Sequence, residues 1–292
     1  MSDRKFLIVD GTALLYRAYF AIRELTTRAG EPTNAVFGLV RAMRQFREQC
    51  RPTHWVVVFD GGIPDARLAL LPEYKAQRPP MPDGLKAQRE AVEEFLDLAG
   101  IPRMRVEGEE ADDVIASLVR IAAPQCRELL IVTSDKDLFQ LVTDTVHVLP
   151  PAKAASPMGP EQIAAKTGVP PELIPAWLAL TGDSSDNIPG VPGVGAKTAA
   201  KLLKTFCGLP ALWDGIEQVK PPRIRDALLA NREAVDRNLE MVRLRSNLPV
   251  QHDWETISVR TPDPEKLLPF FEKMEFESMA RELRERLSSL NF

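Results

Sequence analysis

The 292-residue chain predicts an α/β fold, with a mostly parallel sheet in its first half and a helical second half. Three short apolar runs, each ending in aspartate, are the first reason. They are Phe6-Leu7-Ile8-Val9-Asp10, Trp55-Val56-Val57-Val58-Phe59-Asp60 and Leu129-Leu130-Ile131-Val132-Thr133-Ser134-Asp135-Lys136-Asp137. Runs this short and this β-branched read as strands buried on both faces, the habit of parallel sheets. The second reason is that helical spacings alternate with these runs. The third is that strand signals nearly vanish past residue 160.

In chain order, strand 6–10 leads into a helix from Thr12 to Arg23, rich in Leu, Tyr and Ala. Val36, Leu39, Val40, Met43 and Phe46 give residues 34–50 a helical stripe. Strand 55–60 follows. A helix over 85–99 carries Leu85, Val92, Phe95, Leu96 and Leu98 and is closed by Gly100 and Pro102. A helix over 111–123 precedes strand 129–133, and Val146 to Leu149 form a further strand. Pro150 to Pro160 reads as a connection. Helices are then predicted over 161–167, 172–181, 196–206, 223–231, 233–244, 264–273 and 276–288, with breaks at Pro189, Pro192, Pro210, Pro221-Pro222 and Pro262.

Composition narrows the class. The chain is 45% hydrophobic and 27% charged, as ordinary globular proteins are. No stretch could cross a bilayer, and Asp3-Arg4-Lys5 runs straight into a strand without a signal peptide, so a cytoplasmic protein is expected. Cys50, Cys126 and Cys207 are odd in number and scattered, which suits reduced core thiols better than disulfides or zinc. His54, His147 and His252 are scattered too. Any metal should be hard and oxygen-bound, hence magnesium or manganese. The net charge of −4 argues weakly against nucleic acid, but two divalent ions would neutralise it, and steering depends on where charges cluster.

The strand ends bring Asp10, Asp60, Asp135 and Asp137 to one edge of one sheet, where open α/β folds place their sites. A lone aspartate there is ordinarily just solvated. Several together call for cations, and a divalent metal site is the expected reason to gather them. Asp135 and Asp137 point the same way if the segment is extended. Glu107, Glu109, Glu110, Asp112 and Asp113 precede an apolar helix face, where acids are favoured by the helix dipole in any case. Asp183 and Asp186 could be turn residues, or sit one turn apart if helical. Gly190-Val191-Pro192-Gly193-Val194-Gly195-Ala196-Lys197-Thr198 is not a Walker loop, because one residue too many separates Gly195 from Lys197 and no strand precedes it. It still offers helix-start amides to a phosphate, and Lys197, Lys201 and Lys204 follow on one face, suiting a nucleic-acid backbone. Tyr74-Lys75-Ala76-Gln77-Arg78-Pro79-Pro80-Met81-Pro82 pairs an aromatic with two cations, suited to a single strand, and Arg17 lies two turns past Asp10.

Together these motifs resemble the 5′-nuclease domain of bacterial DNA polymerase I, within the flap endonuclease superfamily. The resemblance rests on Val-Asp-Gly-Thr (9–12), Tyr-Arg-Ala-Tyr (16–19), Gly-Glu-Pro-Thr (30–33), Val-Val-Phe-Asp (57–60), Tyr-Lys-Ala-Gln-Arg-Pro-Pro-Met-Pro (74–82), Glu-Ala-Asp-Asp (110–113), Asp-Lys-Asp-Leu (135–138) and the long Gly-Asp-Ser-Ser-Asp-Asn-Ile-Pro-Gly-Val-Pro-Gly-Val-Gly (182–195), in the family's order. Ser134, Ala66 and Pro64 depart from the family's usual residues. The resemblance implies a PIN-like twisted sheet over residues 1–160 with a helical arch at about 64–100. It also implies a helical DNA-binding region over 161–292, containing a helix–three-turn–helix at about 175–206.

The resemblance further implies two magnesium or manganese ions. Asp10, Asp60, Glu110 and Asp112 would hold one, and Asp112, Asp135, Asp137 and Asp183 the other, with Asp113 and Asp186 in outer or water-mediated roles. Tyr74 would stack on a base, and Lys75, Arg78 and Arg17 would contact the scissile phosphate. Carbonyls of Leu180, Thr181, Pro189, Val191 and Val194 would form a potassium site, and Gly190, Gly193, Gly195, Lys197 and Lys201 would meet the DNA backbone. The expected activity is 5′-3′ exonuclease or 5′-flap endonuclease, removing flaps and RNA primers in replication and repair. Expected partners are DNA with a free 5′ end, an RNA primer–DNA hybrid and a DNA polymerase; a monomer without membrane contact is expected. No polymerase portion follows Phe292, which fits a stand-alone relative or a fragment. A PIN-type ribonuclease acting on structured RNA and a non-catalytic junction-binding module are the alternatives.

Overall fold

The computed structural model describes residues 3–22, 25–251 and 253–290, so Arg23 and His252 lie outside the described residues. Five parallel strands form the main sheet: β1 (Lys5–Asp10), β2 (His54–Val58), β3 (Arg103–Met104), β4 (Glu128–Val132) and β5 (Val146–Leu149), in the order β3-β2-β1-β4-β5. The runs that read as doubly buried are so. Phe6, Ile8, Val56, Val58, Leu129 and Ile131 enter one core, while Leu7, Val9, Trp55, Val57, Leu130 and Val132 enter the other. Successive side chains of a strand point to opposite faces, so one continuous apolar run feeds both layers.

In the first half the helices are α1 (Gly11–Ala21), α2 (Asn34–Cys50), α3 (Asp65–Leu70), α4 (Asp83–Lys86), α5 (Arg89–Leu98) and α6 (Ala111–Ala122). The single helix expected over 85–99 is broken between α4 and α5 for a physical reason. Buried Gln88 accepts from the Ala35 and Val36 amides at the start of α2, and donates to Asn34 Oδ1 and the Gly84 carbonyl. It caps another helix, at the expense of continuity in its own.

The second half holds α7 (Pro160–Thr167), α8 (Ile174–Thr181), a hairpin of β6 (Gly182–Asp183) and β7 (Ile188–Pro189), then α9 (Ala196–Phe206), α10 (Leu209–Asp214), α11 (Pro222–Ala230), α12 (Arg232–Val242), α13 (Pro264–Lys273) and α14 (Glu277–Leu290). Pro210 does not break a helix; it lies in the first turn of α10, where its missing N–H costs nothing. Helices α6 through α12 pack on the Phe6 face. Helices α13 and α14 instead join α1, α2 and α5 on the Leu7 face, through Leu267, Phe270, Phe271 and Met279, so the halves share their cores. Cys126 is buried as a core thiol, but Cys50 is half-buried and Cys207, ending α9 in the left-handed region, is exposed. Among the described residues no helix is long and apolar enough to cross a membrane.

Candidate metal centre and its cationic rim

From β1 the sheet continues to β2 on one side and β4 on the other, so the crevice outside the carboxyl ends of β1 and β4 is a topological switch point. Asp10 ends β1 and caps α1, its Oδ1 accepting from the Ala13 amide at 3.0 Å. Thr133, just past β4, donates its hydroxyl across the crevice to Asp10 Oδ2 at 3.0 Å and accepts from the Asp135 amide. Asp60 lies two residues beyond β2. Its amide donates to Thr12 Oγ1, and its Oδ1 accepts from the Ala111 amide at 2.8 Å, tying the starts of α1 and α6 together. Helix α6 carries Asp112 and Asp113 in its first turn, after Glu110.

Asp135 and Asp137 are not on an extended segment. Asp137 opens a short 3-10 turn, and its amide donates to Asp135 Oδ1 at 2.9 Å. Asp183 ends β6, and its Oδ1 accepts from the Ser185 amide, so Asp183 and Asp186 flank a hairpin turn rather than a helical one.

These carboxyls perturb one another. Loss of hydration, reinforced by Asp60 and Asp135, lifts Asp10 to about 7 despite its bonds from Ala13 and Thr133. Asp112 is held well above the usual carboxylate range by desolvation and then by Asp135, Asp10, Asp137 and Asp60. Asp137 rises likewise by desolvation, then through Asp135, Asp183 and Asp186. Asp135 rises by crowding out of water and then through Asp186 and Asp183, although its side chain keeps exposed surface at the crevice mouth. Among the described residues no three acidic, histidine or cysteine side chains close around one point as ligands of a single ion. The donor chemistry nonetheless fits hard divalent cations. The donors are all carboxylate oxygens, and Asp137 Oδ1 is buried without a hydrogen-bond partner.

A cationic rim sorts the remaining acids. Arg67 of α3, only 7% exposed, contacts Glu110 and reaches Asp113 at 2.9 Å. Arg245 donates its amide to Asp113 Oδ1 at 2.9 Å and its guanidinium to Asp113 Oδ2 at 3.0 Å, and also contacts Glu109. Asp113 is 0% exposed with both oxygens taken by arginines. In this structure it serves as the counter-ion of the two arginines.

Lys75 contacts Glu110 and lies 3.5 Å from Asp186, and Arg78 reaches Asp186 Oδ1 at 2.6 Å. Tyr74 is buried, with its hydroxyl 2.9 Å from Asp186 Oδ2 and Lys75 Nζ 4.9 Å from its ring centre. Its ring is therefore covered in this conformation and presents no free face for a base. Lys136 pairs with Asp183 at 3.3 Å.

The 182–195 motif builds the turn between α8 and α9. Gly182 has φ +70, and a Cβ on Gly190 would lie 2.1 Å from the Thr181 carbonyl oxygen, so this crossing admits only glycine. Of the carbonyls expected to ring a monovalent ion, Leu180 O accepts from the Val191 amide, Val191 O from the Val194 amide, and Pro189 O from buried Asn238 Nδ2 at 2.7 Å. Gly193 has φ +81, Gly195 starts α9 with open space about it, and Lys197, Lys201 and Lys204 are exposed along that helix. Arg17 is exposed on α1; among the described residues no hydrogen bond or ion pair joins it or these lysines to the acidic crevice.

Residue patterns alone did not single out Thr12, Thr133, Lys136, Arg67, Arg245 or Asn238 for the site. The threonines stand beside strand-end aspartates and could have been suspected as hydroxyl partners. Arg245 and Asn238 join the site only through tertiary packing, more than a hundred residues from Asp113 in one case.

Comparison with known proteins follows the same outline. A family model described as the 5′-3′ exonuclease N-terminal resolvase-like domain matches residues 5–168, and one described as the 5′-3′ exonuclease C-terminal SAM fold matches residues 169–265. A 5′-3′ exonuclease from Aquifex aeolicus is 36% identical over 276 residues, covering 94% of both chains. The thermostable DNA polymerase I of Thermus thermophilus is 40% identical over 278 residues, which is 95% of this chain and 33% of that protein. The chain thus spans about a third of its polymerase relatives. Among solved structures, a T5 5′-exonuclease with bound zinc shares the fold at TM-score 0.68 and 24% identity, covering 93% of this chain and 98% of that one. The catalytic core of Rad2 in complex with DNA substrate does so at 0.67 and 19%, covering 97% of this chain and 91% of that one.

Proposed function

The chain belongs to the 5′-3′ exonuclease family and is a nuclease, and on that premise we propose that it is a magnesium-dependent, structure-specific enzyme acting on DNA with a free 5′ end or a 5′ flap. The observation that supports this most is the gathering of Asp10, Asp60, Asp112, Asp135 and Asp137 at the switch-point crevice, tied by the Thr133–Asp10, Ala111–Asp60 and Asp137–Asp135 hydrogen bonds, beside a rim of cations. Asp10, Asp60 and Asp112 would hold one divalent ion, with Glu110 beside it, and Asp112, Asp135, Asp137 and Asp183 a second. Bound there, the ions would supply a water ionised near neutral pH and offset charge on the phosphate.

The protein's own groups do the rest. Lys75 and Arg78 present cations to the scissile phosphate, and Arg17 steers the strand along α1. The start of α9 and its lysines grip the duplex backbone without reading sequence. Carbonyls of Leu180, Thr181, Pro189, Val191 and Val194 would take potassium. In this reading residues 1–160 carry the chemistry under an arch at 64–100, and 161–292 hold the duplex as a monomer. An RNA primer–DNA hybrid would be a further substrate, and a DNA polymerase a partner that supplies the flap. The test is a 5′-labelled flap duplex with and without magnesium: cleavage must require the metal, and Asp112→Ala retaining wild-type cleavage would defeat the assignment.

A further inference from the structure

Residues 73–78, between α3 and α4, are laid on the 184–187 turn of the hairpin. Asn187 Nδ2 donates to the Glu73 carbonyl at 2.7 Å, and the Lys75 amide donates to the Asp186 carbonyl at 3.0 Å. Gln77 Nε2 donates to the Ser184 carbonyl at 2.8 Å, and Arg78 Nε to the Ser185 carbonyl at 3.1 Å. At the centre the Asp186 carboxylate accepts from Tyr74 and Arg78 and faces Lys75. Both of its oxygens are spent on this segment.

The two surfaces are also strained where they meet. Lys75 has φ 56 and Asn187 φ 59, a region that side chains other than glycine occupy at a cost unless their surroundings hold them there.

A carboxylate and a phosphate are alternative partners for the same guanidinium and ammonium. We infer that Asp186 is a positioning residue that holds Lys75 and Arg78 in the resting protein and competes with the incoming 5′-strand phosphate for them. It takes the place a phosphate will take, keeps both cations at the crevice, and must yield them when the strand enters. This rests on the reading of Lys75 and Arg78 as phosphate contacts. It adds to the family resemblance, which gave Asp186 an outer or water-mediated role beside the metals.

The experiment has a metal-free arm and a binding arm. In chelated protein, trypsin cleavage after Lys75 and hydrogen exchange at the Lys75 amide are followed for wild type, Asp186→Asn and Gln77→Ala. Gln77→Ala loosens the same contact without touching any charged group. Both variants should be cut several-fold faster. In calcium, both should bind a 5′-phosphorylated flap duplex about twofold to fivefold tighter, the size of a partly exposed charged contact removed from competition. Calorimetric titration with calcium should give Asp186→Asn the same stoichiometry as wild type, unlike Asp183→Asn. Unchanged protection in both variants would overturn the inference, as would unchanged flap affinity or a lost calcium site in Asp186→Asn. Wild-type cleavage by Lys75→Ala and Arg78→Ala would instead defeat the phosphate reading, and would leave the docking result standing on its own.

Discussion

Asp10→Asn should stabilise the metal-free protein while abolishing cleavage. The carboxyl rises from 3.8 to about 7 on folding. At about 1.36 kcal/mol per pKa unit, that is about 4 kcal/mol as a ceiling, because Asp60 and Asp135 bear part of the same repulsion. The sign follows from linkage. Between pH 3.8 and about 7 the folded state keeps a proton that the unfolded chain releases, so this group's contribution to stability falls as pH rises and is fully unfavourable above about 7. Asparagine removes the titration and keeps both hydrogen bonds, since its oxygen can accept from the Ala13 amide and its NH2 can donate to the Thr133 hydroxyl.

The variant should therefore match wild type near pH 4 and melt higher at pH 8. Half the ceiling, about 2 kcal/mol, corresponds to roughly 3 °C for a 292-residue protein. The assay is a thermal melt of chelated protein at pH 4, 6 and 8, repeated with magnesium. Magnesium should raise the melting point of wild type most at pH 8 and scarcely move the variant. A variant that melts below wild type at pH 8, or whose gain ignores pH, would refute the account of Asp10 as a carboxylate destabilised by burial and, secondly, by its acidic neighbours.

Arg67→Met should lose about 3 kcal/mol in urea denaturation, because it removes the buried guanidinium shared by Glu110 and fully buried Asp113; a loss under 1 kcal/mol would show that Lys75 and Arg245 alone satisfy the two acids. Gly190→Ala should lower the melting point sharply, because its Cβ would meet the Thr181 carbonyl at 2.1 Å, whereas Gly195→Ala, with open space around its Cβ, should stay close to wild type. Lys197→Ala combined with Lys201→Ala should weaken duplex binding equally across sequences. It should also flatten the slope of log affinity against log salt by about 1 per lysine; an unchanged slope would remove α9 from the DNA surface.

What could be read from sequence follows the range of the interactions. Helix α2 at 34–50, α9 at 196–206, α13 at 264–273 and strand β5 at 146–149 lie where periodicity put them, because a continuous apolar stripe is a local property. The short α3 and α10 and the two-residue β3, β6 and β7 were missed; pieces this small are held by neighbours, not by their own pattern. Strand β2 ends at Val58, short of Asp60, because that aspartate turns away to accept from α6. The acids were legible as a set. How they divide was not, since Asp113 and Asp186 look like their neighbours until Arg67, Arg245, Lys75 and Arg78 arrive from distant segments.

That division carries the chemical argument. A crevice of carboxylates can lower its energy by taking up protons or by recruiting cationic side chains. The acids around Arg67, Arg245, Lys75 and Arg78 do the second: Glu109, Glu110, Asp113 and Asp186 each contact at least one of these cations. Asp10, Asp112 and Asp137 do the first, and their proton affinity climbs. A divalent ion displaces a bound proton more readily than it displaces a bidentate arginine from a buried pair, because the arginine would be left desolvated and unpaired. In the proposed reading Asp10, Asp112 and Asp137 are ligands on this ground, and Asp60 and Asp183 join them from the same crevice. The acids paired with arginine and lysine fix the walls of the crevice, and Asp186, paired with cations that can still reach solvent, stands between the two groups.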